Sequence, residues 1–250
     1  MDVEILEGER VDDLQVNGAK IIQNPKFFCF GIDAVLISNF SKVKKSDKVC
    51  DLGCGNGIIS ILTAVKKNPE KVVGIEIQEH IADMATRSIL MNNLQSTVSI
   101  KNIDLKKATE VLGNEMFDVL ITNPPYSIKE TGRINLEDSK TIARHEILCD
   151  LEDIVKVSFK LLRHNGKLFM VHRPDRLVDI MCIMRKYKME PKFLRFVHPS
   201  IGKKPSMILI EASKCGGREL KIMEPLYVYN EDGSYTEEIM KIYFGGQKNE

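Results

Sequence analysis

Nowhere in the 250 residues does an apolar run approach the roughly 18–20 residues that a membrane span requires. The acidic start MDVEILEGER also lacks the basic and apolar regions of a signal peptide. Paired cysteines are missing as well. The six cysteines, at positions 29, 50, 54, 149, 182 and 215, show no C-x-x-C spacing, which argues against a zinc site or a redox motif and for reduced, mostly buried thiols. A cytoplasmic protein without a metal and without a membrane partner is expected. Charge of one sign is equally scarce: 36 Lys and Arg against 35 Asp and Glu give a net charge of +1. Such a balance exerts no global attraction on nucleic acid, so a polyanion would have to be held by a local basic patch. There is no internal repeat and no low-complexity linker.

What is present suits one globular domain, with 43% hydrophobic and 28% charged residues in a chain long enough to bury a sizeable core. Strand-like runs fall near Lys48–Asp51, Lys71–Glu76, Thr97–Lys101, Phe117–Thr122, Gly166–Val171, Pro191–Val197 and Met207–Glu211. Helical periodicity covers Gly57–Lys67, Glu79–Asn92, Leu151–Leu162 and Pro174–Tyr187, with a shorter turn around Leu105–Leu112. Alternation of the two predicts an α/β fold, a doubly wound, Rossmann-like sheet of seven strands. VCDL and VVGIE are apolar at consecutive positions, as central parallel strands are when helices cover both faces. The last two runs are separated only by HPSIGKKPS, too short for a crossover, and should form an antiparallel hairpin at one edge. Residues 1–45 read as an N-terminal cap, in which KIIQNPKFFCF precedes a helical GIDAVLISNF. Residues 46–215 form the core, and 216–250 a polar tail with LYVY and IYF patches. Ser127–Asp150 reads as a long loop directly after a strand.

Val49-Cys50-Asp51-Leu52-Gly53-Cys54-Gly55-Asn56-Gly57 follows the first core strand and opens a helix. Its glycines allow a tight turn and close approach of a ligand to the backbone, and the helix start offers unpaired N–H groups. The next strand ends in Glu76, followed by Ile77, where a carboxylate can accept both hydroxyls of a ribose. The competing reading is a dinucleotide site, in which G-x-G-x-x-G receives a pyrophosphate. Here the pattern is D-x-G-x-G-x-G. Asp51 would repel a pyrophosphate and suits a ligand bearing an ammonium and a sulfonium, which points to S-adenosyl-L-methionine. Asp104, followed by Leu105, stands just past the third strand, where a carboxylate either accepts the cofactor's adenine amino group or caps a helix.

The fourth strand ends in Asn123-Pro124-Pro125-Tyr126, at the same edge as Gly53, Glu76 and Asp104. An aromatic or amide NH2 is a poor nucleophile, because its lone pair is delocalised. The side-chain oxygen of Asn123 and the carbonyl of Pro124 can each accept one amino hydrogen and turn the lone pair toward a methyl donor. Pro125 stiffens the turn, and Tyr126 can stack on the planar group. Positioning then supplies most of the catalysis.

DLGCGNG, GIEI and NPPY together resemble the class I amino-methyltransferases. FFCFGIDAVLISNF, VVGIEIQ, ADMATRSILMNN, FDVLITNPPY, IARHEILCDLEDIV and VHRPDRLVDI resemble, from about Leu14 to Tyr229, the bacterial tRNA1(Val) adenine-N6-methyltransferase family. That resemblance implies that Asp51, Gly53, Gly55, Glu76 and Asp104, together with Asn56, Gly57, Ile77, Leu105 and Asn123, hold S-adenosyl-L-methionine. It also implies that Asn123, Pro124 and Tyr126 handle the amino group, and that tRNA is the partner. N-P-P-Y is shared with the glutamine N5-methyltransferases of release factors and the guanine N2-methyltransferases of rRNA. A methyltransferase-like fold acting only as an RNA-binding scaffold is a further alternative.

Arg185, Lys186, Lys188, Lys192, Arg195, Lys203 and Lys204 face a single carboxylate, Glu190, over one stretch of sequence. If the sixth strand runs parallel to the others, the loop His198–Lys204 lies at the active-site edge, beside His172 and Arg173. Two readings stand there: phosphate contacts to RNA, or a solvated rim. Lys26, Phe27, Phe28 and Phe30 can close over cofactor or base, or form cap core. His145 either helps place the substrate or sits in a loop with a salt bridge between Arg144 and Glu146.

Overall fold

The computed structural model describes residues 3–27, 29–125 and 151–244. Its first elements are two short strands, β1 (Arg10–Asp13) and β2 (Lys20–Gln23), paired antiparallel through a turn in which Asn17 and Gly18 have positive φ. The cap therefore holds a hairpin ahead of the expected helix, α1 (Ile32–Phe40). Ile21 and Ile22 are both fully buried, so the period-two alternation that betrays a half-buried strand is absent from KIIQ. The hairpin docks on a later helix through side chains. The Ser88 hydroxyl accepts the Ile22 N–H at 3.0 Å, and the Asn92 amide accepts from the Lys20 N–H and donates to its carbonyl at 2.8 and 2.6 Å.

The core then alternates strand and helix: β3 (Lys48–Leu52), α2 (Ile58–Lys67), β4 (Lys71–Glu76), α3 (Glu79–Met91), β5 (Val98–Asn102), a 3-10 turn (Leu105–Lys107) leading into α4 (Ala108–Leu112), and β6 (Phe117–Thr122). After residue 150 come α5 (Leu151–Leu161), β7 (Leu162–His172), α6 (Leu177–Lys186), β8 (Met189–His198) and β9 (Met207–Lys214). The expected long loop at Ser127–Asp150 lies outside the described residues. The seven core strands lie in the order β8-β9-β7-β6-β3-β4-β5. β7, β6, β3, β4 and β5 are mutually parallel, whereas β9 is antiparallel to both β7 and β8. β8 accordingly runs in the same direction as the parallel strands, and the loop after His198 emerges at their carboxyl edge.

Side chains from successive positions of one strand feed the two faces in turn. Val119, Ile121, Phe169 and Val171 join α1 and α2 in one core, while Leu120, Leu168 and Met170 join α5 and α6 in the other. Burying each such side chain contributes about 1.5–3 kcal/mol relative to exposure. The polar tail is more ordered than its composition suggests. β10 (Lys221–Ile222) and β11 (Leu226–Tyr227) both pair with the outer edge of β8, extending the main sheet to nine strands. The last helix, α7 (Glu237–Phe244), then lies against α1. The LYVY and IYF patches are its anchors: Leu226, Val228, Ile239 and Ile242 enter the core around α1 and α2, and Tyr229, Tyr235 and Tyr243 stack with centroids 5.3 and 5.6 Å apart. Covering β8 in this way shields an edge that would otherwise present unpaired backbone groups. Among the described residues no helix is long and apolar enough to cross a membrane.

Gly74, at the middle of β4, shows how tightly this sheet supports the loop above it. A Cβ there would lie 2.8 Å from both Cys54 Sγ and Ile100 Cδ1. Gly74→Ala is expected to destabilise the protein by about 1–3 kcal/mol, as overpacking of a filled core does, read as a lower urea midpoint with an unchanged slope.

Candidate active site

Strand register brings the carboxyl ends of four strands level. Leu52 pairs with Ile75 and with Thr122, and Glu76 pairs with Asn102, so Gly53, Glu76, Asn102 and Asn123 leave the sheet together. Between β3 and β6 the order of strands reverses direction, the crevice where open α/β sheets receive ligands. Gly53, Gly55 and Gly57 have φ of +71, +54 and +87°, backbone conformations that an L side chain enters only with strain. A Cβ on Gly53 or Gly55 would meet nothing within 4 Å, so those glycines serve the turn and leave free space above it. Cys54 points down instead, its N–H donating to the Ile75 carbonyl at 2.8 Å. The Glu76 carboxylate, 6% exposed, ties the loop to the next helix. It accepts the Gly55 N–H at 3.1 Å on one oxygen and the Gln78 N–H at 2.9 Å on the other.

Asp51 lies fully buried beneath this loop. One of its oxygens accepts the Ser60 hydroxyl at 2.8 Å; the other, Oδ1, is a buried atom without a hydrogen-bond partner. Burial pushes the carboxyl up to about 7, the Ser60 hydrogen bonds oppose the rise, and the neighbouring Glu76 carboxylate adds to it. A buried acceptor left unsatisfied is costly, and a cationic ligand would relieve it. The donor set thus fits a ligand with an ammonium near Asp51 and hydroxyls near Glu76, the two ends expected of S-adenosyl-L-methionine. Further along the rim, the Asn102 amide donates to the carbonyls of Glu76 and Ile77 at 2.9 and 3.0 Å and fixes the exposed Ile77. Asp104 caps the 3-10 turn by accepting the Lys106 N–H at 2.9 Å. It is half-buried together with Leu105, so one carboxylate takes the cap role and stands at the rim.

Thr122 donates its hydroxyl to the Leu52 carbonyl at 3.0 Å, which anchors the following Asn123-Pro124-Pro125 beside the glycine loop. Pro124 is buried and Pro125 exposed. The Asn123 amide donates to a carboxylate oxygen of Asp33 at 3.0 Å. Tyr126 and His145, like Phe28, lie outside the described residues.

Residues 18–186 match the family model for the methyltransferase small domain, a span that holds Asp33, the glycine loop, Glu76 and Asn123. The chain belongs to the methyltransferase small domain family. Among its relatives, a tRNA1(Val) (adenine(37)-N6)-methyltransferase from Phocaeicola vulgatus is 24% identical over 81% of this chain and 86% of its own. A release factor glutamine methyltransferase from Clostridium botulinum is 27% identical over 58% of this chain and 54% of its own. Solved structures agree in fold. A predicted O-methyltransferase from Agrobacterium tumefaciens superposes with a TM-score of 0.69 at 20% identity, over 85% of this chain and 96% of that one. TYW2 from Pyrococcus horikoshii gives 0.59 at 14% identity, over 84% and 73%.

The rim of this methyltransferase separates the remaining candidates. Asn56 is buried and its amide donates to Gln23 Oε1 at 3.3 Å, an atom that also accepts the Phe30 N–H at 3.1 Å. It therefore holds the cap to the glycine loop rather than facing open space. Gly57 starts α2 with Ala85 3.3 Å from where its Cβ would stand, a packing role. Phe27 packs on His80, with ring centroids 4.5 Å apart, and on the small core of Ile22, Ile81 and Met84; Phe30 packs on the larger one, and Lys26 is exposed. Arg173, Lys203 and Lys204 are exposed at the carboxyl edge, with Arg173 3.4 Å from Asp175. His172 differs from its neighbours. It is buried, its ring nitrogen Nδ1 accepts the Arg173 N–H at 2.8 Å, and burial, helped by Arg176, lowers it to about 4. At neutral pH it is uncharged and supplies no cation to a phosphate. Sequence reasoning missed Asp33, Gln23 and Asn102. Only Asp33 carried a signal, as an acid inside the apolar run of α1, where an unpaired carboxylate would be expensive. Among the described residues no group of three or more His, Cys, Asp and Glu side chains is gathered for a metal ion.

The raised Asp51 carboxyl sets a pH dependence. Its folded-state value of about 7 lies above the ordinary 3.8, so the stability it contributes is present below about 4 and is lost as pH rises through 7. The ligand-free protein is expected to lose thermal stability between about pH 4 and 7, and Asp51→Asn to flatten that profile while weakening S-adenosyl-L-methionine binding roughly 30-fold or more. Thermal melts and calorimetric titrations across that range check both.

Proposed function

We propose that this methyltransferase transfers a methyl group from S-adenosyl-L-methionine to the N6 amino group of an adenine in tRNA, the adenosine beside the anticodon of a valine tRNA, in the cytoplasm. The observation that carries the reading is the Asn123–Pro124 turn level with the ends of the strands that bear Asp51 and Glu76, where an amino-group clamp would stand beside a crevice suited to a cation. The names of two relatives that match 81 and 85% of this chain support adenine N6 in tRNA. Cap, core and tail act together as one catalytic unit.

In this mechanism Asp51 would take the ammonium of the amino-acid moiety and Glu76 the ribose hydroxyls, while Asp104 and Leu105 would border the adenine with Ile77. Gly53 and Gly55 leave room for the ligand backbone. The cofactor supplies a methyl group on a sulfonium, already a good leaving group. Asn123 Oδ1 and the Pro124 carbonyl each accept one hydrogen of the target amine, which removes its conjugation and aims its lone pair at that methyl. Methyl transfer from the bound cofactor would leave the sulfonium's electron pair on sulfur, and the methylated nitrogen would give its proton to water. Tyr126 stacks on the adenine. Phe27, Phe30 and His145 flank the base, and Lys26, Arg173, Lys203 and Lys204 meet phosphates of the stem.

Incubation with the labelled cofactor and unmodified total tRNA, followed by nucleoside mass spectrometry, is expected to yield N6-methyladenosine, with a loss of roughly hundredfold or more in Asn123→Ala, the scale on which one preorganised polar group acts. Methylation of release factor glutamine in place of tRNA would replace this reading with the one the Clostridium botulinum relative suggests. The double substitution Lys203→Glu with Lys204→Glu is expected to weaken tRNA binding about tenfold at low salt and to lower the salt slope by about two, leaving cofactor affinity unchanged.

A further inference from the structure

We infer that Asp33 is a positioning residue that sets which way round the Asn123 amide faces, and thereby makes the site accept a hydrogen-bond-donating amine. The inference rests on the amino-group reading above and adds to it a residue that selects for that group. Asp33 lies in the first turn of α1 and is 8% exposed. One carboxylate oxygen accepts the Ala34 N–H at 2.9 Å, and the other accepts the Asn123 Nδ2–H at 3.0 Å. The backbone makes room for it: a Cβ on Gly31 would stand 2.9 Å from Asp33 Oδ1, so glycine at the helix cap keeps the carboxylate in place.

A carboxylate offers only acceptors, and a primary amide carries a donor on one branch and an acceptor on the other. Facing Asp33, Asn123 must present its NH2, and the planar amide then turns Oδ1 the other way. The orientation matters because the target amine brings hydrogens. With Oδ1 outward it meets an acceptor beside the Pro124 carbonyl; with the amide flipped, two NH2 groups would face each other and a carbonyl substrate would be favoured instead. An amide in water flips between these states at little cost, so the orientation must be imposed, and a hydrogen bond to a charged group is strong enough to bias it tenfold or more. The carboxylate acts through Asn123 and has no role in taking the proton from the product.

Two measurements on the full chain test this. In NMR spectra, with the Asn123 side-chain amide identified by its loss in Asn123→Ala, its hydrogens are expected to exchange with solvent at least tenfold more slowly in the native protein than in Asp33→Ala or, should that variant fold poorly, Asp33→Asn. Equal exchange would overturn the inference whatever the substrate proves to be. In single-turnover methyl transfer, Asp33→Ala is expected to lower the rate about tenfold with cofactor affinity within twofold of native, and to cause no further loss in an Asn123→Ala background. A full tenfold loss in both backgrounds means that Asp33 acts elsewhere, and the proposal falls. Native protein that methylates no tRNA defeats the substrate reading alone, because amide exchange still decides the role of Asp33.

Discussion

Two carboxylates held out of water beneath the carboxyl edge of the sheet, Asp51 and Glu76, are the constraint around which the rest of the molecule is arranged. Negative charge in a low-dielectric setting is tolerated only with partners. Glu76 finds them in the backbone N–H groups of Gly55 and Gln78, and thereby fastens the glycine loop to the start of the next helix. Asp51 has a single hydroxyl partner and one oxygen with none. The positive φ of the loop glycines and the downward turn of Cys54, for which Gly74 leaves room, keep this pair directly beneath the glycine loop. A cation bound there would complete hydrogen bonding that the protein alone leaves unfinished, and would set ligand affinity against the stability of the free protein at one atom.

A second set of side-chain acceptors runs through the cap. Asp33 and Gln23 reach from the first 40 residues into the site, one to Asn123 and the other to Asn56 and Phe30. The segment ahead of the sheet is consequently hydrogen-bonded into the candidate site rather than laid over it. Its attachment to α3 by Asn92 and Ser88 is a sheet-like pairing made by side chains, which holds the hairpin without adding it to the main sheet.

The core could be read from sequence because its signals are local and strong: β4 and β6 have the expected bounds, and the other core strands differ only at their ends. β7 starts earlier than expected, because Leu162 already pairs with Phe117 ahead of a register shift. The elements that escaped are those whose order comes from tertiary contacts. β2 shows no alternation because both isoleucines are buried, and β10 and β11 are two residues long, formed only by the presence of β8. At the site, backbone motifs were readable because glycine and proline restrict the chain at fixed spacing. Side-chain partners such as Asp33 and Asn123, 90 residues apart, have no spacing rule to announce them.

The position of α7 has a consequence for synthesis. Chains emerge from the ribosome amino end first, and domains begin to fold as they do. Leu226, Val228, Ile239 and Ile242 complete the core on which α1 rests, yet they are made after the glycine loop and the Asn123 turn. Until they arrive, the helix that carries Asp33 has one flank in water. A nascent chain thus carries the groups of the candidate site before it carries their support, and the core around α1 is complete only once Ile242 has been made.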